Sequence, residues 1–134
     1  MLKRKNLISG ILSVALVLIL SVSALASSFS ANYSIPTGSS ASWSGKSDHL
    51  WKFTSTNEAT FKTTISNTSD RSINSALWMV KVLALDTKIV SYALSGKNGD
   101  YKTATFTPQT SNSYYAVVTP VDTSGVNGTV SAYN

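Results

Sequence analysis

From Ala59 to Ser66 the side chains alternate one by one. Ala59, Phe61, Thr63 and Ile65 fall on one side of an extended chain, and Thr60, Lys62, Thr64 and Ser66 on the other. A period of two marks a β-strand with one covered face, because successive side chains point to opposite faces of a pleated ribbon. Similar short runs recur along the chain. Leu50 to Thr54 sets Trp51 and Phe53 together, Lys88 to Leu94 aligns Val90, Tyr92 and Leu94, and Tyr101 to Thr107 turns Ala104 and Phe106 inward. Ala76 to Leu85, apolar except at Lys81, predicts a central strand covered on both faces for much of its length, with Trp78, Val80, Val82 and Ala84 on its cleaner side. Tyr114 to Val121 and Val126 to Tyr133 complete the series, the last aligning Val126, Val130 and Ala132. Pro108 and Pro120 stop strands, and Asn98-Gly99 is the strongest turn signal.

No stretch of a dozen residues carries the 3.6-residue period of an amphipathic helix. Seven strands, with one or two weaker ones between Phe29 and Ser44, predict an all-β chain of about seven to nine strands. The expected architecture is an antiparallel two-sheet sandwich, jelly-roll-like, with Trp51, Phe53, Phe61, Ile65, Trp78, Val80, Val82 and Phe106 supplying the core.

The strands follow a segment of another kind. Lys3-Arg4-Lys5 precedes an apolar run from Leu7 to Leu20, and the small residues Ala24 and Ala26 stand two apart at its end. This is the pattern of an export signal, so residues 1–26 are expected to form a signal helix cleaved after Ala26. Leu7 to Ala26 also meets the minimum length of a membrane anchor, which is the competing reading. Either way residues 27–134 are expected to form one β-sandwich domain outside the membrane, secreted or surface-associated, that meets a membrane only through the signal segment.

Composition narrows the function classes. The formal charge of +5 owes +3 to Lys3, Arg4 and Lys5, so the basic balance gives no reason to expect a nucleic-acid partner. With no Cys there is no disulfide, thiolate metal site or cysteine nucleophile, and a cysteine-free exported chain points to a bacterial source.

The order of features resembles a known family. The turn Ser44-Gly45-Lys46-Ser47-Asp48, the aromatic run Leu50-Trp51-Lys52-Phe53, the Thr-rich alternating strand, the hydrophobic central strand and the late Ser113-Tyr114-Tyr115-Ala116-Val117-Val118 run, with Gly-Thr-Val near the end, are similar to the bacterial pre-peptidase C-terminal type of β-sandwich. The resemblance covers Ser40 to Tyr133. It departs at Asn112-Ser113, where a Gly would be usual before the Tyr pair, and in the absence of an attached catalytic domain. It implies an accessory or adhesive role without catalysis.

The residues that carry chemistry point the same way. The single histidine, His49, has Asp48 beside it, but 20 serines in the mature part make a nearby Ser uninformative, and no G-x-S-x-G elbow exists. Asp48, Glu58, Asp70, Asp86, Asp100 and Asp122 all stand at or beside turns, where short acids serve backbone hydrogen bonding. Asn98 and Asp100 could offer oxygen ligands to a calcium ion, without the spacing of a calcium loop. No catalytic residue, metal ligand or cofactor is assigned. Three sequons, at Asn32, Asn67 and Asn127, matter only in a eukaryotic secretory path.

Aromatic residues remain as contact candidates. Trp43 lies in a Ser-rich segment with only Ala41 as an apolar neighbour, which predicts an exposed indole. Tyr114 and Tyr115 point to opposite faces of their strand, so one is expected outward, and Tyr101 and Tyr133 lie out of phase with the apolar residues around them. The expected function is a non-catalytic binding or adhesive module that presents Trp43, Tyr101, Tyr114, Tyr115 and Tyr133 to a glycan, a cell-surface polymer or a protein. The alternative is a small secreted membrane-active toxin, bacteriocin-like, built of amphipathic strands.

Overall fold

The computed structural model describes residues 27–134, and the expected signal segment, residues 1–26, lies outside the described residues. Eight strands are present among the described residues: β1 (Ser28–Ile35), β2 (Trp43–Ser44), β3 (Ala59–Ile65), β4 (Arg71–Met79), β5 (Thr87–Gly96), β6 (Tyr101–Phe106), β7 (Tyr114–Pro120) and β8 (Val126–Tyr133). They form two four-stranded antiparallel sheets, ordered β1-β8-β3-β6 and β2-β7-β4-β5. The first strand pairs with the last, the second with the seventh, the third with the sixth and the fourth with the fifth. That nesting is one long antiparallel ribbon rolled on itself, the jelly roll.

The alternation in β3 is realised: Ala59, Phe61, Thr63 and Ile65 are buried, and the residues between them are not. Val126, Val130 and Ala132 of β8 lie beside them in the core, and Ile73, Leu77, Ala116 and Val118 face them from the second sheet. One end of the core is aromatic. The Phe53 ring has the rings of Phe29, Phe106 and Tyr114 edge-on at 5.4 to 5.6 Å, and Phe29 stacks on Trp51 at 6.2 Å. Such pairs add about 0.5 to 1.5 kcal/mol each beyond their buried area.

Two features join the sheets by polar means. Thr63 Oγ1, buried on β3, lies 2.7 Å from Ser75 Oγ on β4 and 2.9 Å from the Tyr92 hydroxyl on β5. At one edge Lys102 Nζ donates to the carbonyl of Ala93 across the gap between β6 and β5, at 3.1 Å.

Three expectations from the sequence are corrected. Leu50 to Thr54 is not a strand. Trp51 and Phe53 are buried, but Trp51 makes only one isolated bridge, exchanging two 2.8 Å hydrogen bonds with Tyr114. The Ala76 to Leu85 run is not one strand either. β4 begins earlier, at Arg71, ends at Met79, and buries Ile73, Ser75, Leu77 and Met79, which leaves Trp78 and Val80 only half-buried on the other face and Val82 outside the fold's core altogether. Finally, Trp43 is half-buried, not exposed: it packs on the core with its ring 6.2 Å from Tyr33 and 5.8 Å from His49, closing the gap between β2 and β1.

Candidate functional site

The contact candidates read from the sequence do not converge. Tyr101 and Tyr133 are exposed, at 59% and 43%, on the outer face of the β1-β8-β3-β6 sheet. They flank β3 at Thr64 and Thr60, on opposite sides, so about 13 Å of strand and two strand spacings separate them. Lys62 Nζ stands 4.2 Å from the centre of the Tyr101 ring. The rest of that face is Ser, Thr and Asn, with Ser30, Asn32, Thr103 and Thr105 exposed around the two tyrosines.

The Tyr114-Tyr115 pair does point to opposite faces, yet neither ring is exposed, which corrects the expectation that one would be outward. Tyr114 enters the aromatic end of the core, where its hydroxyl accepts the Gln109 N–H at 2.7 Å. Tyr115 is covered by the β4–β5 loop: its hydroxyl donates to Asp86 Oδ2 at 2.9 Å, and Lys46 Nζ lies 5.6 Å from its ring centre. Asp86 also accepts the Lys81 N–H at 3.1 Å and pairs with Lys46 Nζ at 2.6 Å. The Lys46 ammonium, then the Lys81 N–H and the Tyr115 hydroxyl, bring the Asp86 carboxyl down to about 2. Burial first, and the carboxylate second, push Tyr115 up to about 12.

Two of the acids hold turns. Asp100 accepts the Lys97 N–H at 2.9 Å in the Asn98-Gly99 turn, where Gly99 takes φ +93°, and Asp122 accepts the Ser124 N–H at 2.8 Å. His49 Nδ1 lies 2.9 Å from Asp48 Oδ1, an ion-pair distance in an orientation that makes no hydrogen bond. Ser47 donates to Asp48 Oδ1 at 3.4 Å. No cluster of three or more His, Asp or Glu suited to a metal ion exists among the described residues.

A concavity lies on the outer face of the second sheet. It is an open groove of about 380 Å³ along β5, β4 and β7. Its floor is small and apolar, from Ala76, Ala93 and Val117. Asn74, Ser91 and Thr119 add an amide and two hydroxyls, and Trp78 forms one wall. A register shift next to Trp78 shapes this wall. Leu77 pairs with Val90 but Trp78 pairs with Lys88, so Ile89 is an extra residue on β5. Without that bulge Ile89 would stand opposite Trp78. With it Ile89 packs on the core, and Lys88 Nζ stands 5.3 Å from the indole centre.

This groove was missed in the sequence because the run containing Trp78 is apolar on both faces, and periodicity cannot assign sides there. The usable signal was Ile73-x-Ser75-x-Leu77-x-Met79, which sets Trp78 outward once the strand is started at Arg71. Compared with described protein families and with curated proteins, the chain matches none.

Proposed function

We propose that the protein is a non-catalytic binding module that holds an extended glycan chain in the groove on the outer face of the β2-β7-β4-β5 sheet. The observation that carries this reading is Trp78, a half-buried indole standing over a floor of Ala76, Ala93 and Val117 with hydrogen-bonding groups spread around it. A sugar ring has an apolar face that lies on an aromatic plane and a rim of hydroxyls that needs donors and acceptors. Asn74 offers both, and Ser91 and Thr119 each offer a hydroxyl. Small floor residues let a ring approach the sheet closely, and the open ends suit a chain that continues past the site. Rigid strands hold these groups, so little ordering entropy is lost on binding.

Electrophoretic mobility in gels cast with soluble polysaccharides tests the reading. A polysaccharide that retards the native protein, but neither Trp78→Ala nor the small-floor variant Ala76→Gln, is the expected result. Retardation abolished by Tyr101→Ala and untouched by Trp78→Ala would move the site to the other sheet and overturn it.

A further inference from the structure

The β4–β5 connection carries the most exposed apolar residues of the domain. Val82, Leu83 and Leu85 are 92%, 98% and 92% exposed, and Ala84 between them is exposed too. Four consecutive aliphatic residues in water are costly, and nothing among the described residues covers them. The loop is nevertheless built. Asp86 ties its base by accepting the Lys81 N–H, the Tyr115 hydroxyl and the Lys46 ammonium, and the Val80 N–H donates to the Ser113 carbonyl at 2.8 Å. A clamped base with a bare aliphatic tip is a presented surface.

We propose that this tip docks on a bilayer containing anionic lipid, with Val82, Leu83 and Leu85 entering the headgroup–acyl boundary and Lys46, Lys81 and Lys88 standing at the headgroups. Shape and charge both favour a lipid surface over a protein pocket. The tip has no aromatic or arginine anchor and no hydrogen-bonding side chain from Val82 to Leu85, whereas protein interfaces draw most of their energy from such anchors. A bilayer asks only for apolar volume over a depth of about 5 to 10 Å, which two residues on each side of a loop tip reach at about 3.3 Å per residue. The tip's backbone lacks strand partners, so insertion stops at the hydrated boundary and does not proceed into hydrocarbon.

The charged residues in and beside this connection come from three elements. Lys81 is in the loop, Lys88 follows it on β5, and Lys46 reaches it from the segment after β2; Asp86 is engaged by Lys46, and Asp48 stands beside His49. Three ammonium groups against those two acids leave the collar cationic, the sign an anionic surface attracts. This docking site shares Lys88 with the glycan groove but not its floor, and it is a membrane contact separate from the N-terminal segment.

The absence of cysteine allows a local test with the full chain. Leu83→Cys and, at the far end of β4, Ser69→Cys are each labelled with a polarity-sensitive fluorophore and mixed with phosphatidylcholine vesicles with and without phosphatidylglycerol. The expected result is a blue shift and intensity rise at position 83 on phosphatidylglycerol vesicles, weaker in high salt, and no change at position 69. Capture by the N-terminal segment alone would leave both labels in water. Unlabelled Leu83→Ser and Leu85→Ser are each expected to weaken the part of vesicle binding that needs phosphatidylglycerol by about tenfold to a hundredfold, as loss of one buried leucine implies. A label at position 83 that stays in water on vesicle-bound protein overturns the proposal. So does a blue shift without vesicles that grows with protein concentration, which would mean that a second copy covers the tip.

Discussion

Gly128 of β8 is the position where one methyl group should do most damage. It sits opposite Tyr33 on β1 and Ile65 on β3, and the Tyr33 ring crosses it so that the hydroxyl donates to the Thr64 carbonyl at 2.9 Å. In Gly128→Ala the new Cβ would collide with the Thr64 carbonyl oxygen and come within 2.6 Å of the Tyr33 hydroxyl. Forcing a methyl group into a packed core costs about 1 to 3 kcal/mol, and displacing the tyrosine leaves a buried hydroxyl and carbonyl unpaired for about 1 to 3 kcal/mol more. A total near 4 kcal/mol would remove a large part of the roughly 5 to 15 kcal/mol that holds a domain of this kind. The melting temperature should fall by about 15 to 30 °C. Tyr33→Phe keeps the ring and loses only the hydrogen bond, so it should cost about 1 kcal/mol. Urea unfolding followed by near-ultraviolet circular dichroism reads both. If Gly128→Ala unfolds within about 0.5 kcal/mol of the native protein, the value for an ordinary surface change, the close crossing of Tyr33 over β8 is wrong.

Thr63→Val removes the hydroxyl shared by Ser75 and Tyr92 and should cost about 1 to 3 kcal/mol, while adding Ser75→Ala to it should cost less than the two single losses combined; strict additivity in a double-mutant cycle would show that the three groups are not linked. Leu77→Ala should cost about 2 to 5 kcal/mol and Trp78→Ala about 1 kcal/mol or less, an order that thermal melts would reverse if Trp78 were the inward residue. Burial, the largest cause in each case, raises the hydroxyl pKa of Tyr33, Tyr92 and Tyr115, the last two to about 12. A raised pKa stabilises the fold fully below the unfolded value of 10.0 and loses that contribution as pH rises toward 12, so ultraviolet titration should show these tyrosines ionising late, together with loss of structure. For Asp86 the sign is opposite: its contribution is present above the unfolded value of 3.8 and is lost as pH falls to about 2, and the Lys81 amide resonance should move over that interval and not at higher pH.

Most strands were legible in the sequence: the runs Ala59–Ser66, Lys88–Leu94, Tyr101–Thr107, Tyr114–Val121 and Val126–Tyr133 correspond to β3, β5, β6, β7 and β8. β3 and β8 alternate cleanly, Asn98-Gly99 marks its turn, and both are found where the pattern puts them. Legibility failed in the Ala76 to Leu85 run and where burial comes from a loop. The Ala76 to Leu85 run merges the end of β4 with a protruding tip, and only tertiary pairing with Tyr114 and Thr87 ends the strand at Met79. Tyr115 has the phase of an outward residue and is buried because Lys46 and Asp86 close over it, which no local pattern records. The bulge at Ile89 likewise has no signature in the sequence, since it depends on how β5 registers against β4. Trp43 looked exposed because its sequence neighbours are polar, but the ring that covers it, Tyr33, comes from another sheet.

The orientation of Trp78 is the point on which the groove and the glycan reading both stand. Indole N–H resonances of the native protein separate its three tryptophans, Trp43, Trp51 and Trp78, and Trp78→Phe identifies the third by its disappearance. Titrating in an oligosaccharide of whichever polysaccharide retards the protein should shift the Trp78 resonance in a saturable way while that of buried Trp51 stays fixed. Saturable binding that leaves the Trp78 resonance unmoved would contradict the account.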